Sequence, residues 1–295
     1  MTGDGGTPAS TGDGLRLAVG TLTVLPVSPP GTVDRRTAAW AMTFAPLVGA
    51  LLAGVAAAVL WLLGWGLSGG TSALLEVLSG QDLLTIRPAP PLLAAALTIG
   101  SLALLTRAIH LDGLADTADG LGSGQPAGAA LVIMRKSDIG PFGVVTVVLV
   151  LLTQVVALAQ LLLIGRGPAA LALALVVSRL VLPLVCSKGV PAARADGLGR
   201  AVAGSVTRLH LLLAIGLSAA IGAVLLPGFV SPFPDQGTGL LGAAVLAAVT
   251  AGLALGAGAG MCLWCVRRLG GVTGDVLGAC VEVSFTVALV ALAML

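Results

Sequence analysis

The feature that most constrains this chain is a series of apolar runs long enough to cross a lipid bilayer. A transmembrane helix needs about 20 mostly apolar residues. Only 9% of the 295 residues are charged, whereas soluble domains carry about 25%. The sequence therefore predicts an all-α, polytopic integral membrane protein. Seven helical spans are expected, near residues 40–66, 90–109, 142–165, 168–186, 209–230, 239–264 and 276–295.

The N-terminal region precedes the first span and divides into two parts. Residues 1–14 are polar and Gly-rich, which predicts a disordered tail. Residues 15–27, LRLAVGTLTVLPV, are apolar but too short to cross a bilayer. They indicate a short interfacial or re-entrant segment. Residues 15–295 are then expected to form a single transmembrane helical catalytic domain.

The basic residues are sorted to one side of the seven-span arrangement. Twelve of the 15 Lys and Arg residues fall on one side and two on the other, with Arg179 inside a span. Cytoplasmic loops carry an excess of Lys and Arg. The pattern predicts a multi-pass protein of the cell membrane with a cytoplasmic N-terminus. Cytoplasmic loops are expected at 107–141, 187–208 and 265–275, and they also contain most of the acids, so we expect the active site at that face.

The overall charge bears on partners. A formal net charge of +2 is too small to indicate a nucleic-acid partner. The lipid bilayer is therefore the expected large-scale partner. A homo-oligomer is also compatible with the sequence.

The most distinctive polar motif is HLDGLADTADGLG, which begins at His110. If the second span continues as a helix past Leu111, then Asp112, Asp116 and Asp119 occupy positions i, i+4 and i+7 on one face. Three like charges on one face repel each other unless a cation lies against them. Mg²⁺ combines one or two carboxylates with substrate phosphates. The motif predicts a Mg²⁺ site, with a solvated helix end as the simpler explanation.

Two further loops combine basic and acidic residues with glycine. MRKSDIGPFG contains Arg135, Lys136 and Asp138, and ARADGLGR contains Arg194 and Asp196 before its final Arg200. Guanidinium and ammonium groups suit phosphate oxygens. We interpret these residues as substrate-binding candidates, although membrane topology alone also explains the basic ones. His110, at a predicted helix end, is a weaker candidate.

The last motif, GGVTGDVLGACVE, carries Asp275 and Glu282. An acid within a membrane helix is costly and indicates a functional site. Glu282 is a candidate for completing the metal site, for acting as a base, or for a structural hydrogen bond. Arg179 in the fourth span is a candidate partner. Together, the acids, basic residues and glycines indicate Mg²⁺-assisted phosphoryl-type transfer at the membrane surface.

The order of these motifs resembles one known family. LTVLPV, HLDGLADTADGLG, MRKSDIGPFGV, ARADGLG and GGVTGDVLGACVE are similar to motifs of the cobalamin synthase family, whose activity is adenosylcobinamide-GDP ribazoletransferase. The resemblance covers residues 15–285. It implies a Mg²⁺-dependent transferase that joins adenosylcobinamide-GDP to α-ribazole, or to α-ribazole 5′-phosphate, and releases GMP.

The resemblance also implies roles for individual residues. Asp112, Asp116 and Asp119 would hold Mg²⁺ against the GDP pyrophosphate. The residues that would face a phosphate or the ribazole are Arg135, Lys136, Arg194 and Asp275. The base is one of the carboxylates that the metal does not use, or Asp275, or Glu282. These catalytic assignments are expectations.

Two other functions fit parts of the pattern. CDP-alcohol phosphatidyltransferases also carry an Asp-rich cytoplasmic helix, but they need an Arg after DGxxA, which is missing after Asp112 and after Asp119. A transporter would explain Arg179 and Glu282. The carboxylates, however, cluster in a loop and not at mid-membrane, which favours the enzyme.

Overall fold

The structure is a computed structural model that describes residues 11–31, 33–65, 89–229 and 239–295. Within these ranges the chain is helical, with no strand and two isolated β-bridges. The α-helices are α1 Thr11–Leu22, α2 Arg35–Thr43, α3 Ala45–Leu62, α4 Pro91–Leu105, α5 Ile109–Gly122, α6 Ala127–Ile133, α7 Pro141–Leu163, α8 Gly167–Val185, α9 Gly197–Val202, α10 Arg208–Leu225, α11 Leu240–Leu269 and α12 Gly274–Met294. A short 3-10 helix, Leu226–Phe229, follows α10.

The predicted fold class is confirmed. Among the described residues, six helices are long and apolar enough to cross a membrane, namely α3, α7, α8, the α10 segment, α11 and α12. A seventh span results if α4 and α5 are counted as one bent pair. Most helix ends lie within a few residues of the predicted ones. The largest differences among these six are five residues each: α3 begins at Ala45, after its predicted start at residue 40, and α11 continues to Leu269, beyond its predicted end at residue 264.

Helices α8 and α12 form the centre of the bundle. They are the most buried of the six spans, whereas α7, α10 and α11 are mostly exposed on their outer faces. Fully buried side chains such as Leu171, Leu175 and Leu289 fill the contacts among these helices. Membrane helices associate mainly through close packing. The polar residues of α8 and α12 are therefore enclosed by protein, away from lipid.

The chain bends sharply between α4 and α5. The two helices meet at 88°, and Arg107 and Ala108 at the break have φ of 54° and 52°. Such left-handed backbone is unfavourable for a residue other than glycine. Hydrogen bonds to the N-terminal segment stabilise the bend: the Arg107 guanidinium donates to the carbonyl of Gly20 at 2.9 Å, and the Val24 N–H donates to the carbonyl of Leu105 at 2.8 Å.

This bend corrects one expectation and preserves another. The second span does not continue straight through Leu111, because the helix breaks and restarts at Ile109. The segment 107–141 is consequently not a simple loop, since α5 and α6 occupy most of it. The i, i+4, i+7 register of the aspartates nevertheless holds, because all three lie within α5.

The N-terminal prediction is also partly wrong. Helix α1 begins at Thr11, so residues 11–14 are helical and do not belong to a disordered tail. The tail prediction for residues 1–10 lies outside the described residues, as do residues 66–88 and 230–238, which connect predicted spans. At 12 residues, α1 is too short to cross a bilayer.

Candidate functional site

Most of the predicted polar motifs meet at one cavity. Its volume is about 370 Å³, and four separate parts of the chain form its walls. They are the start of α5, the segment before α7, the α8–α9 connection with α9, and the start of α12. The lining residues are Ile109, Asp112, Arg135, Arg194, Asp196, Gly197, Leu198, Gly199, Thr273, Gly274 and Asp275. We call this cavity the acidic cavity.

Close contact between α5 and α12 brings two of its carboxylates together. A Cβ atom on Gly113 would lie 2.6 Å from the carbonyl oxygen of Asp275. Only glycine at position 113 allows the helices to approach this closely. Asp112, the residue before Gly113, and Asp275 are therefore both placed on the cavity wall. The sequence predicted both as site residues, but from two motifs more than 160 positions apart.

The three aspartates of α5 differ in burial along the helix. Asp112 is exposed, Asp116 is partly buried and Asp119 is buried. Asp116 experiences like-charge repulsion from Asp112, Asp275 and Asp119, and attraction to Arg194. The negative charges outnumber the single cation in this set. Negative charge is therefore concentrated where α5 meets α12, which favours binding of a cation.

Asp119 is engaged in a structural contact. Its Oδ2 accepts a hydrogen bond from the backbone N–H of Gly140 at 2.7 Å, and its Oδ1 accepts one from Gly143 at 2.9 Å. These are unsatisfied donors at the start of α7, whose own N-cap position offers no side-chain acceptor. A carboxylate at a helix N-terminus also interacts favourably with the helix dipole. Asp119 thus joins the Asp-bearing helix to the next membrane span.

Arg194 links the acidic cavity to its surroundings. Its Nη1 lies 3.4 Å from Oδ2 of Asp275, and its Nη2 donates to the carbonyl of Leu131 at 2.7 Å. Thr273, the N-cap of α12, donates to the same Asp275 oxygen at 3.1 Å and accepts from the N–H of Val276. The backbone carbonyl of Leu131 therefore orients the Arg194 guanidinium towards Asp275, while the hydroxyl of Thr273 holds the Asp275 carboxylate.

A second ion pair lies in the wall of the acidic cavity. The Arg135 guanidinium contacts the carboxylate of Asp196. This contact lowers the pKa of Asp196 below its ordinary value, through the hydrogen bond first and then through the positive charge of Arg135. Both side chains are more than half exposed, at 54% and 65%. Exposed pairs are weak, so a phosphate can displace the carboxylate from Arg135.

Backbone hydrogen bonds hold the α8–α9 connection against the start of α12. The N–H of Val272 donates to the carbonyl of Pro191 at 2.9 Å, and the N–H of Ala193 donates to the carbonyl of Val272 at 3.0 Å. Ala192 and Val272 form an isolated parallel bridge. This clamp fixes Arg194 and Thr273 relative to each other, although they lie far apart in the sequence.

Several predicted site residues lie outside the acidic cavity. Lys136 and Asp138 are exposed and line none of its wall. His110 is buried against α12, and neither of its ring nitrogens has a hydrogen-bond partner among the described residues. Arg200 lines a different cavity, although it belongs to the same short helix as three residues of the acidic one.

Glu282 lies within the helix bundle, apart from the aspartates. Its Oε2 accepts a hydrogen bond from Nε2 of Gln154 at 2.8 Å, and the same Nε2 also donates to Thr286 at 3.0 Å. Glu282 and Arg179 line a space of about 20 Å³, which is room for one water molecule. Glu282 was a candidate for a metal ligand, a base or a structural hydrogen bond. This arrangement favours the structural hydrogen bond.

Sequence reasoning missed several of these residues. Thr273 had a readable signal, because Thr before Gly and Asp at the start of an apolar run is a typical N-cap. Gln154 had one as well, as a polar residue in the middle of a predicted span. Ile109 and Leu198 carried no signal, since they are ordinary apolar residues whose place on the wall depends on the tertiary fold.

Whether the site can bind a metal ion depends on the carboxylates that are not already engaged in hydrogen bonds. Within the described residues, no group of three or more His, Cys, Asp or Glu side chains is arranged to hold a metal. Mg²⁺, however, keeps several waters and uses one or two carboxylates together with substrate phosphates. Asp112 and Asp116, one helical turn apart beside Asp275, provide such a pair, whereas both oxygens of Asp119 already accept backbone hydrogen bonds.

Comparison with known proteins gives a consistent result across the chain. The family model described as cobalamin-5-phosphate synthase matches residues 14–293. The chain is 38% identical to the adenosylcobinamide-GDP ribazoletransferase of Frankia casuarinae over 283 residues, which is 95% of this chain and 94% of the relative. It is 40% identical to the protein of the same name from a Nocardioides species over 281 residues, 95% of this chain and 97% of the relative. No solved structure matches this chain.

Proposed function

The chain belongs to the cobalamin-5-phosphate synthase family, and we propose that it joins adenosylcobinamide-GDP to α-ribazole, or to α-ribazole 5′-phosphate, with release of GMP. Its relatives are named as transferases of this reaction. The observation that carries the proposal is the acidic cavity, where Asp112 and Asp275 face Arg194 and Arg135. Carboxylates and guanidinium groups in one cavity suit a metal-bound pyrophosphate.

The two alternative functions are not favoured. The family model that matches nearly the whole chain is that of cobalamin-5-phosphate synthase, and the relatives described above are named ribazoletransferases, not CDP-alcohol phosphatidyltransferases. The transporter hypothesis required Arg179 and Glu282 to lie on a path for the transported substrate. These residues instead line a space of about 20 Å³, which is too small for a substrate.

Mg²⁺ is part of the proposal, with a division of roles among the aspartates. Asp112 and Asp116 would hold the ion. Oxygens of the GDP pyrophosphate and water molecules would supply its other ligands. Asp119 would position α5 against α7 through its two backbone hydrogen bonds. When bound, the ion neutralises the pyrophosphate and the leaving phosphate.

The residues of the chain would bind and orient the two reactants. Arg194, fixed by Asp275 and Leu131, would hold one phosphate, and Arg135 would hold the other after exchanging Asp196 for it. The alcohol oxygen of the ribazole would form a bond to the phosphorus that carries cobinamide. The bond from that phosphorus to the bridging oxygen would break, and GMP would leave with the bridging oxygen.

The proton of the attacking alcohol needs an acceptor in the same cavity. Asp275 is the carboxylate best placed, because it lines the cavity and is oriented by Thr273 and Arg194. Glu282 lies elsewhere and is bonded to Gln154. We therefore assign the base to Asp275 within this proposal.

The setting of the reaction is proposed from the charge pattern. The acidic cavity is built from segments 107–141, 187–208 and 265–275, which carry most of the basic residues. By the positive-inside rule these lie in the cytoplasm. The bundle would thus reside in the cell membrane with the cavity open to cytoplasmic nucleotides.

The test is a product assay on purified protein in detergent. Adenosylcobinamide-GDP, α-ribazole and Mg²⁺ are supplied, and GMP and the corrinoid product are separated by chromatography. We expect GMP and product in equal amounts, and neither when α-ribazole or Mg²⁺ is omitted. A well-folded preparation that forms no GMP with either ribazole would contradict the proposed function.

A further inference from the structure

A second cavity lies beside the acidic cavity and has the opposite charge. Its volume is about 360 Å³. Its charged lining residues are Arg35, Lys188 and Arg200, and none of the described acidic residues lines it. The other lining residues are Gly189, Val190, Pro191, Ala192, Ala203 and Gly204. We call it the basic cavity.

The three cations of the basic cavity come from separate elements. Arg35 begins α2, Lys188 follows α8, and Arg200 lies in α9. Membrane topology requires only that basic residues lie on one side of the bilayer. It does not require residues from three elements to converge on one space. Their convergence therefore needs a different explanation.

These cations also have no acidic counterpart in the part of the chain that the structure describes. Within the described ranges, neither Arg35, Lys188 nor Arg200 forms an ion pair. The two arginines of the acidic cavity, by contrast, are each paired with an aspartate. Three like charges around one space repel each other. An anionic ligand would offset this repulsion.

The framework of the basic cavity is held by hydrogen bonds. The Arg35 guanidinium donates to the carbonyl of Ala203 at 3.2 Å. The N–H of Lys188 donates to the carbonyl of Val206 at 3.1 Å, and the N–H of Val206 donates to the carbonyl of Cys186 at 3.2 Å. The Arg35 guanidinium and the backbone at Lys188 are thus positioned before any ligand binds, which lowers the entropic cost of binding.

We propose that the basic cavity binds a phosphate group. Two guanidinium groups offer planar pairs of donors that match phosphate oxygens, and an ammonium group adds a third cation. Helix α9 separates the two cavities, with Gly199 on the acidic side and Arg200 on the basic side. A phosphate bound here therefore lies next to the reaction site proposed above.

Two sources would supply this phosphate. One is the 5′-phosphate of a phosphorylated ribazole, an assignment that rests on the proposed function. The other is the headgroup of an anionic phospholipid, because the chain spans a membrane. Both present the same group to the three cations, and the experiment separates them.

Binding is measured first with inorganic phosphate, on the full chain in nonionic detergent, from ³¹P NMR line broadening. Lys188→Gln and Arg200→Gln each remove one exposed cation without breaking a hydrogen bond of the framework. We expect about tenfold weaker binding in each, as for the loss of one charged hydrogen bond. Arg267→Gln, an equal charge change on an exposed residue outside both cavities, is the matched control.

The source of the phosphate is identified by two further measurements. If the ribazole supplies it, both substitutions raise the KM for α-ribazole 5′-phosphate relative to that for α-ribazole, and Arg267→Gln does not. If a lipid supplies it, native mass spectrometry shows phosphatidylglycerol retained by the wild type and by Arg267→Gln, and lost from the two variants.

The proposal is overturned if Lys188→Gln and Arg200→Gln, eluting as folded protein, bind inorganic phosphate as tightly as Arg267→Gln does. The NMR and lipid measurements need no turnover. A protein that forms no GMP but loses phosphate binding in these variants would contradict the proposed function and support the basic cavity.

Discussion

The carboxylate of Asp119 accepts a hydrogen bond from the backbone N–H of Gly140 at 2.7 Å, and so caps a membrane helix from 21 residues away. Its other oxygen accepts from Gly143. Asp112 and Asp116 stand on the same helix but make no such contact with α7. Three aspartates in one register therefore have two different environments, and the predictions below separate them.

Asp119→Asn is expected to reduce stability more than Mg²⁺ affinity. The amide retains one acceptor oxygen but places an NH₂ group against a backbone donor, so one charged hydrogen bond is lost at a buried position. The expected cost is about 1–3 kcal/mol in the free energy of unfolding. Unfolding in detergent and the Mg²⁺ concentration for half-maximal activity would be measured together.

The matched control for Asp119→Asn is Asp138→Asn, since Asp138 is exposed and lines none of the acidic cavity. It should change neither quantity. If Asp119→Asn unfolded at the wild-type temperature but required far more Mg²⁺, Asp119 would be a metal ligand and the division of roles would be wrong.

Asp116→Asn is expected to have the reverse effect. Asp116 lies among Asp112, Asp275 and Asp119, so neutralising it relieves repulsion and should leave the folded protein at least as stable. Loss of a proposed Mg²⁺ ligand should lower GMP formation by about a hundredfold or more. The measurements are GMP release at saturating Mg²⁺ and the midpoint of thermal unfolding. Wild-type turnover in this variant would exclude Asp116 from metal binding.

Arg194→Lys tests the orientation of the phosphate-binding guanidinium. Arg194 reaches Asp275 and the carbonyl of Leu131 with two different nitrogens, and a single ammonium cannot reproduce that fork. We expect about tenfold lower kcat/KM for adenosylcobinamide-GDP with the charge retained. Steady-state kinetics provide the measurement. Arg268→Lys, at a basic residue outside the acidic cavity, is the control, and equal losses in both variants would contradict the role of Arg194.

The sequence predicted much of the fold because membrane helices follow from apolar length alone. It also predicted Asp112, Arg135, Arg194, Asp196 and Asp275, all of which line one cavity. Helical register correctly placed the aspartates on one helix. These inferences depend on local pattern, which a single sequence contains.

Other features could not be predicted, for physical reasons. The bend occurs at Arg107 and Ala108, neither of which is Gly or Pro, because contacts from α1 stabilise an unfavourable backbone there. The partner of Asp119 lies on another helix. Arg200 separates from Asp196 because Asp196 precedes α9 in extended backbone, whereas Arg200 lies within the helix, and the sequence does not show where that helix begins.

The contact between Gln154 and Glu282 gives a final test, because it distinguishes a structural acid from a catalytic one. Gln154→Leu would leave the buried carboxylate without its donor, and should cost about 1–3 kcal/mol in stability. Replacing both partners with apolar residues, Gln154→Leu with Glu282→Met, should recover only part of this loss, because the buried guanidinium of Arg179 then lacks the negative charge of Glu282. Unfolding midpoints of the two single variants and the double variant complete the cycle. GMP formation per folded molecule should stay within about twofold of wild type in the double variant, since neither residue lines the acidic cavity. A stable double variant that forms no GMP would instead assign a catalytic role to Glu282.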